Sequence, residues 1–500
     1  MNRLKITTTD SDAAKIKADA VILPFFEEAI KAPYQGCSAE ANRIVAGVIR
    51  AGDFSGRHGQ TMLLPVHSGP HERILLVGLG KESDLTAERL RRAGAQAFNA
   101  LRGTPVRSVM VGAHVFDAMR CTELGIEPCA FYLLEGGLLR RYSFERYRTA
   151  PRQNGGDMLQ SILVAGEKQS LDTMLLQVSV EANAFVRDLV LTPAGDLAPA
   201  DLAEAARKAA GKNTKVRVLD RKAIVREGMD ALHAVGRGSR REERLIIMDY
   251  KGAKGAPLVV IGKGITFDSG GISLKSADGM EKMKYDMAGG AAVIGLIKAI
   301  SALRIKRHVV GIIPAAENLP GGDAFRPGDI VRTLAGKTVE IVSTDAEGRL
   351  LLADAMAYAR KHFAPRCMLD IATLTGACSI AFGHEAIAVM GTSPGLIAAL
   401  RRAGEETYER IWELPLFEEY GESLKGDVAD IKNAAGRKGS LIAAASFLKE
   451  FAGDTPWAHL DIAGTAWIDK DKPYCAKGAT GVGVRLLLAM LRSPDNVCGD

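Results

Sequence analysis

Thr338-Val339-Glu340-Ile341-Val342-Ser343-Thr344-Asp345-Ala346-Glu347-Gly348-Arg349-Leu350 changes character halfway along. Its first five residues alternate apolar and polar like a strand. If the extended path continues, Asp345, Glu347 and Arg349 project to one side, and Gly348 lets the backbone come close to whatever sits there. The following Leu350-Leu351-Leu352-Ala353-Asp354-Ala355-Met356 reads as a buried helix. A strand that ends in acids before a helix is a place to hold a metal at the rim of an α/β sheet.

Two further segments share this character. Lys263-Gly264-Ile265-Thr266-Phe267-Asp268 follows the buried-strand run Leu258-Val259-Val260-Ile261 and leads through Ser269-Gly270-Gly271 to Lys275. Asp286 lies further on, within Met283-Lys284-Tyr285-Asp286-Met287-Ala288-Gly289-Gly290. Four carboxylates, Asp268, Asp286, Asp345 and Glu347, cannot share a small site as bare anions, because repulsion would protonate some of them. Two divalent cations remove the conflict. The ligand set is rich in oxygen and has no HExxH or Cys/His cluster, which suits Mn²⁺ or Mg²⁺ and is also accepted by Zn²⁺.

The flanking pattern is βαβ throughout. Strands are predicted at 258–262, 309–313, 339–342, 367–372, 386–390 and 459–463. Gly290–Leu303 is a helix with Val293, Ile294, Leu296, Ile297 and Ile300 on one stripe. This predicts a mostly parallel sheet with ligands at the carboxyl ends of its strands. Pro314–Gly328 reads as a long loop by that rim. Upstream, Ala20–Phe25 and Arg73–Gly78 are strands, Ser83–Leu101 is helical, and Gly78-Leu79-Gly80 is a turn with incomplete nucleotide-loop spacing. The expected fold class is therefore α/β. A smaller N-terminal α/β domain (1–160) is joined by a helix (161–190) to a larger C-terminal catalytic domain (191–500).

Composition agrees with a globular protein of two domains. The 500 residues are 47% hydrophobic and 25% charged. No apolar run approaches the roughly 18 residues that span a membrane, and the opening residues carry no apolar signal core. Seven cysteines form no CxxC pair and read as reduced thiols of a cytoplasmic protein. The net charge of +6 does not by itself suggest nucleic acid as a partner, and none is expected. Residues 1–160 hold 21 basic and 17 acidic side chains. Arg140, Arg141, Arg146, Arg148 and Arg152, interleaved with Tyr142, Phe144 and Tyr147, read as a sheet-edge strand with alternating faces; binding of single strands is the other reading.

The three acidic and lysine-bearing segments together resemble the leucyl aminopeptidase (cytosol aminopeptidase) family of two-metal exopeptidases, strongly over about 187–490. The resemblance implies Lys263, Asp268 and Asp286 as ligands of one metal. Asp345 and Glu347 would hold the other, with Asp268 and Glu347 bridging. As a ligand, Lys263 must be a neutral amine, so its pKa is expected to be depressed. Lys275 would stabilise the oxyanion, and Arg349 would hold a bicarbonate ion that takes a proton from the nucleophile. Met283, Thr373, Leu374 and Gly376 would line the pocket for a Leu-like side chain. The implied assembly is a homohexamer acting on short peptides. Some bacterial members also bind DNA as regulators, a second reading that only the arginine cluster supports. Ser343 and Leu191 each stand where the family commonly has Asn.

Overall fold

The computed structural model describes residues 4–9, 16–28, 37–116, 127–150, 157–166, 171–493 and 498. They form two compact units, Met1–Val180 with Lys470–Ala476, and Glu181–Asp469 with Lys477–Asp500, which divide inside the helix Thr173–Leu191.

The first unit carries a six-stranded sheet in the order Lys5–Thr9, Ser161–Ala165, Ser108–Gly112, Ala18–Phe26, His71–Gly80, Thr61–Pro65. All its pairings are parallel except the last. Gly78–Gly80 belong to the strand His71–Gly80 and not to a turn. The arginine-rich segment is not a strand either. Arg140 closes the helix Cys129–Arg140, and the backbone beyond it is irregular to 150, while Arg152 lies outside the described residues. The alternation there follows no pleat. Individual partners fix the guanidiniums instead: Arg140 pairs with Asp471 at 3.3 Å, Arg148 with Glu145 at 3.3 Å, and Arg141 with Asp157.

The second unit is built on a nine-stranded sheet. Its order is Ile411–Glu413, Ile387–Gly391, Trp457–Asp461, Cys367–Ala372, Leu258–Gly262, His308–Asn318, Arg244–Lys251, Thr214–Leu219, with Gly264–Asp268 also on His308–Asn318. The centre is parallel and antiparallel pairs lie towards both edges. Because successive side chains of a strand face opposite ways, His308–Asn318 packs on two layers. A Cβ on Gly311 would point at Val293 and Ile297 of the helix Ala288–Leu303. Val310 and Ile312 instead share a core with Leu350, Leu351 and Leu352 of the helix Gly348–Phe363. Gly289 lets the first helix come close: a Cβ there would meet the Ile371 carbonyl at 2.1 Å.

Three expectations are corrected here. The strand expected to stop at 313 runs to Asn318, so the loop by the rim is shorter and Asn318 ends a central strand. The helical run Met280–Leu303 is apolar enough to cross a membrane by composition, with a mean hydropathy of 1.5. However, 78% of that window is buried inside the protein, as a core helix must be. Cys367 and Cys498 form a disulfide, and Cys129 is also disulfide-bonded, whereas Cys37 and Cys378 are free. Cys367 and Cys498 are 131 residues apart, a separation that leaves no spacing pattern to read.

One buried carboxylate ties the helical layer together. Asp354 of the helix Gly348–Phe363 accepts the backbone N–H of Leu232, in the first turn of Asp230–Gly236, at 2.9 Å, and that of Leu334 at 2.8 Å. Asp354→Ala leaves both donors unpaired and should cost about 2–4 kcal/mol in urea unfolding. Burial raises the Asp354 pKa to about 7. An acid whose folded pKa is raised stabilises most below its unfolded pKa and loses that contribution as pH climbs through the folded value. The variant's deficit should therefore shrink by about 2–3 kcal/mol between pH 5 and pH 8.

Candidate metal centre and substrate cleft

The site forms where the strand ends Lys263, Asp268 and Asn318 meet the starts of the two core helices. Lys263 lies between Leu258–Gly262 and Gly264–Asp268, its backbone N–H donating to the Ile371 carbonyl at 3.1 Å. Its buried Nζ is 2.7 Å from Asp286 Oδ2 and 2.7 Å from Glu347 Oε1, and it donates to the Thr373 carbonyl at 3.0 Å. Lys275 Nζ is 2.9 Å from Asp268 Oδ2 and also pairs with Asp345. All the acids and lysines singled out in the sequence thus converge on one place.

Asp345 and Glu347 reach it by a different path from the one expected. The strand stops at Glu340, Glu347 already has helical dihedrals (φ −77°, ψ −37°), and the helix starts at Gly348. An αR residue breaks the two-residue alternation, so Arg349 enters the buried face of a helix. Gly348 has a definite role: a Cβ on it would lie 2.7 Å from Lys263 Cε and 2.8 Å from its Nζ.

The electrostatics follow from crowding. Burial raises the pKa of Asp286 well above the carboxylate range and also raises Glu347 and Asp345, with the neighbouring Asp268 adding to each. Burial works against the Lys263 ammonium, but Asp286, Glu347 and Asp268 outweigh it and hold the pKa above the usual lysine range. Lys275 is likewise held up, against burial, by Asp268, Glu347 and Asp345. Carboxylates alone therefore shift Lys263 in the opposite direction to a neutral amine ligand; only cations could reverse that sign.

The donor set fits a cation. Asp268, Asp286 and Glu347 are buried, and one ligand atom from each lies within 4.8 Å of the others. Asp286 Oδ2 is near Lys263 Nζ but lacks an aligned hydrogen bond, so it keeps a free lone pair. Arg349 is buried, which lowers its pKa to about 10. Its Nε has no hydrogen-bond partner, and it makes no ion pair among the described residues.

A cavity of about 420 Å³ is lined by Lys275 together with Met280, Met283, Tyr285, Ala463 and Trp467. Met283 is thus on its wall, whereas Thr373, Leu374 and Gly376 are not among its lining residues. The Thr373 hydroxyl donates to Asp286 Oδ1 at 2.6 Å, the Leu374 N–H donates to Asp461 Oδ1 at 3.2 Å, and Gly376 opens the helix Gly376–Phe382.

Sequence reasoning missed the amides and hydroxyls that hold the loops. Asn318 Nδ2 donates to Asp268 Oδ1 and to the Thr344 carbonyl. Asn433 accepts the Val342 N–H at 2.7 Å and donates to the Ser343 carbonyl at 2.7 Å. The Thr344 hydroxyl donates to the Gly270 carbonyl at 2.6 Å. Asn318 lay inside the segment read as a loop, so neither it nor Asn433 carried a sequence signal.

Comparison with known proteins agrees with this architecture. Residues 184–488 match the catalytic domain of the cytosol aminopeptidase family and 22–151 match its N-terminal domain. The "Probable cytosol aminopeptidase" of Geobacter sp. (strain M21) is 44% identical, over 98% of this chain and 100% of that protein. The one of Roseiflexus castenholzii is 41% identical over 98% and 99%. A solved structure, "Bottromycin maturation enzyme BotP in complex with Mn", superposes with a TM-score of 0.83 at 33% identity, covering 95% of this chain and 99% of that one. The fold and site thus define a metallopeptidase catalytic unit in a chain that also carries an α/β N-terminal unit. The chain belongs to the cytosol aminopeptidase family and is an aminopeptidase of that type.

Gly348→Ala tests the close approach directly. The methyl group must displace Lys263, and a misplacement of about 1 Å can cost on the order of 100-fold in rate. Peptidase activity should fall about 10- to 100-fold while circular dichroism and the melting temperature change little.

Proposed function

We propose that this chain is a two-metal aminopeptidase that releases Leu-like residues from the N-termini of short peptides. The observation that carries the reading is the convergence of Asp268, Asp286 and Glu347, with their ligand atoms within 4.8 Å, beside a cleft walled by Met283. Lys263, Asp268 and Asp286 would hold one divalent cation and Asp345 and Glu347 the other, with Asp268 and Glu347 bridging. Oxygen donors suit Mn²⁺, Zn²⁺ or Mg²⁺. When bound, such a pair supplies Lewis acidity and a bridging water made nucleophilic near neutral pH.

The chain's own groups do the rest. Lys275, on the cleft wall and held charged, would stabilise an oxyanion on the scissile carbonyl. Arg349 has a buried guanidinium with no ion pair among the described residues. A planar anion such as bicarbonate would satisfy its fork and accept the proton of the nucleophile. Met280, Met283 and Ala463 give the cleft an apolar wall that favours a Leu-like side chain.

We also propose a homohexamer and a cytoplasmic location, the compartment for which its relatives are named. The Cys367–Cys498 pair would have to persist there against a reducing poise. DNA binding is not proposed. Arg140, Arg141 and Arg148 already face acids, so little unopposed charge remains for phosphates.

Purified protein with Mn²⁺ should hydrolyse leucine p-nitroanilide, and a chelator should abolish the activity; hydrolysis that survives chelation would sink the two-metal account. Asp345→Ala and Glu347→Ala should each remove most activity without unfolding the chain. Arg349→Ala should slow turnover and leave metal content intact. Light scattering should give about six times the 53.3 kDa chain mass, and a monomer would refute the hexamer.

A further inference from the structure

We infer that Asn318 is a positioning residue that locks the Asp268 carboxylate and fixes the spacing of the two ligand loops, an inference that rests on the metal reading above. Asn318 is fully buried and ends the central strand His308–Asn318. Its Nδ2 donates to Asp268 Oδ1 at 2.8 Å and to the Thr344 carbonyl at 3.0 Å. Its backbone carbonyl accepts from the Ser269 N–H at 3.0 Å and the Ser269 hydroxyl at 2.7 Å. One residue therefore binds both the loop after Asp268 and the loop that carries Asp345 and Glu347.

The chemistry requires an amide here. A carboxylate oxygen and a carbonyl oxygen both accept, so only a group with two N–H donors can face them together. Asp268 Oδ1 also receives the Gly270 N–H at 2.9 Å. With that oxygen saturated, Oδ2, which faces Lys275 Nζ at 2.9 Å, is the one left for a metal cation, and this gives Asp268 a single orientation. The amide is retained at a cost, because Asn318 Oδ1 is buried with no hydrogen-bond partner. That oxygen lies 2.7 Å from where a Gly271 Cβ would stand, so the side chain is closely enclosed. Packing alone would be met equally well by an apolar residue or by aspartate of the same shape.

Asn318→Asp keeps the shape and loses the donors; Asn318→Ala loses both. Full-length protein stripped of metal would be titrated with Mn²⁺ by calorimetry, with the melting temperature of the metal-free form measured alongside. Positioning predicts Mn²⁺ affinity about 10- to 100-fold weaker in both variants, with Asn318→Asp at least as impaired as Asn318→Ala. The metal-free melting temperature should fall in Asn318→Asp, where a buried carboxylate would face Asp268 Oδ1, and fall less in Asn318→Ala, with both variants still folded. Turnover should recover substantially at saturating Mn²⁺. Wild-type affinity in Asn318→Asp would overturn the assignment and leave packing as the role of Asn318. Loss of the metal-free fold in both variants would overturn it as well. Failure of the wild type itself to bind Mn²⁺ would refute the metal reading, an outcome separate from either.

Discussion

Four carboxylates and two ammonium groups occupy one largely buried volume, and the charges do not balance. Lys263 and Lys275 offset two of Asp268, Asp286, Asp345 and Glu347, leaving two negative charges that burial makes costly. The raised pKa values of Asp286, Asp345 and Glu347 express that strain. A stretch of chain chosen for stability alone would replace such a cluster by apolar side chains. Keeping it makes sense if cations complete the charge, and until then Lys263 and Lys275 bridge the acids.

The arrangement follows from one strand having two faces. Helix Ala288–Leu303 packs on one side of His308–Asn318 and helix Gly348–Phe363 on the other. Each helix is preceded by an acid of the site, Asp286 and Glu347 respectively. Carboxylates therefore arrive from opposite layers at the carboxyl ends of the parallel strands, where α/β sheets leave a crevice. Gly289 and Gly348 remove the side chains that would keep those helix starts away from Ile371 and Lys263. Layer packing and ligand geometry are thus a single constraint, and a shift of either helix is a shift of a carboxylate.

Much of this was legible because it repeats. Leu258–Gly262 and Cys367–Ala372 are short buried strands, apolar but for Asp370, and their observed bounds are those expected. The α/β class and the convergence of Lys263, Asp268, Asp286, Asp345 and Glu347 could likewise be read. The extended path through Asp345, Glu347 and Arg349 could not, because alternate polar residues look alike in a strand and at the start of a buried helix; the turn at Glu347 decides between them. Asn318 and Asn433 were invisible for a simpler reason. A lone amide has no period, and its value lies in partners such as Thr344 and Ser343, which only the folded chain brings near. The arginine segment failed in the opposite way: its alternation was real, but Asp157, Glu145 and Asp471 governed it, not a pleat.

The two positions where the resemblance leads to an expectation of Asn, Ser343 and Leu191, become understandable at this level. Ser343 accepts the Asp345 N–H through its hydroxyl at 3.3 Å, two residues ahead. Serine and asparagine both make that local turn, one through Oγ and the other through Oδ1, so the bend that presents Asp345 survives the exchange. Asn433 meanwhile holds the Ser343 backbone from outside the loop, donating to its carbonyl at 2.7 Å. At the end of helix Thr173–Leu191, the Lys284 ammonium is bound by the Leu191 backbone carbonyl at 3.0 Å. Any residue at 191 supplies that oxygen, so leucine costs nothing there. In both places the polar contact belongs to the backbone or to a turn that more than one side chain can close. The acids and lysines have no such substitute, since charge at a fixed point has no backbone equivalent.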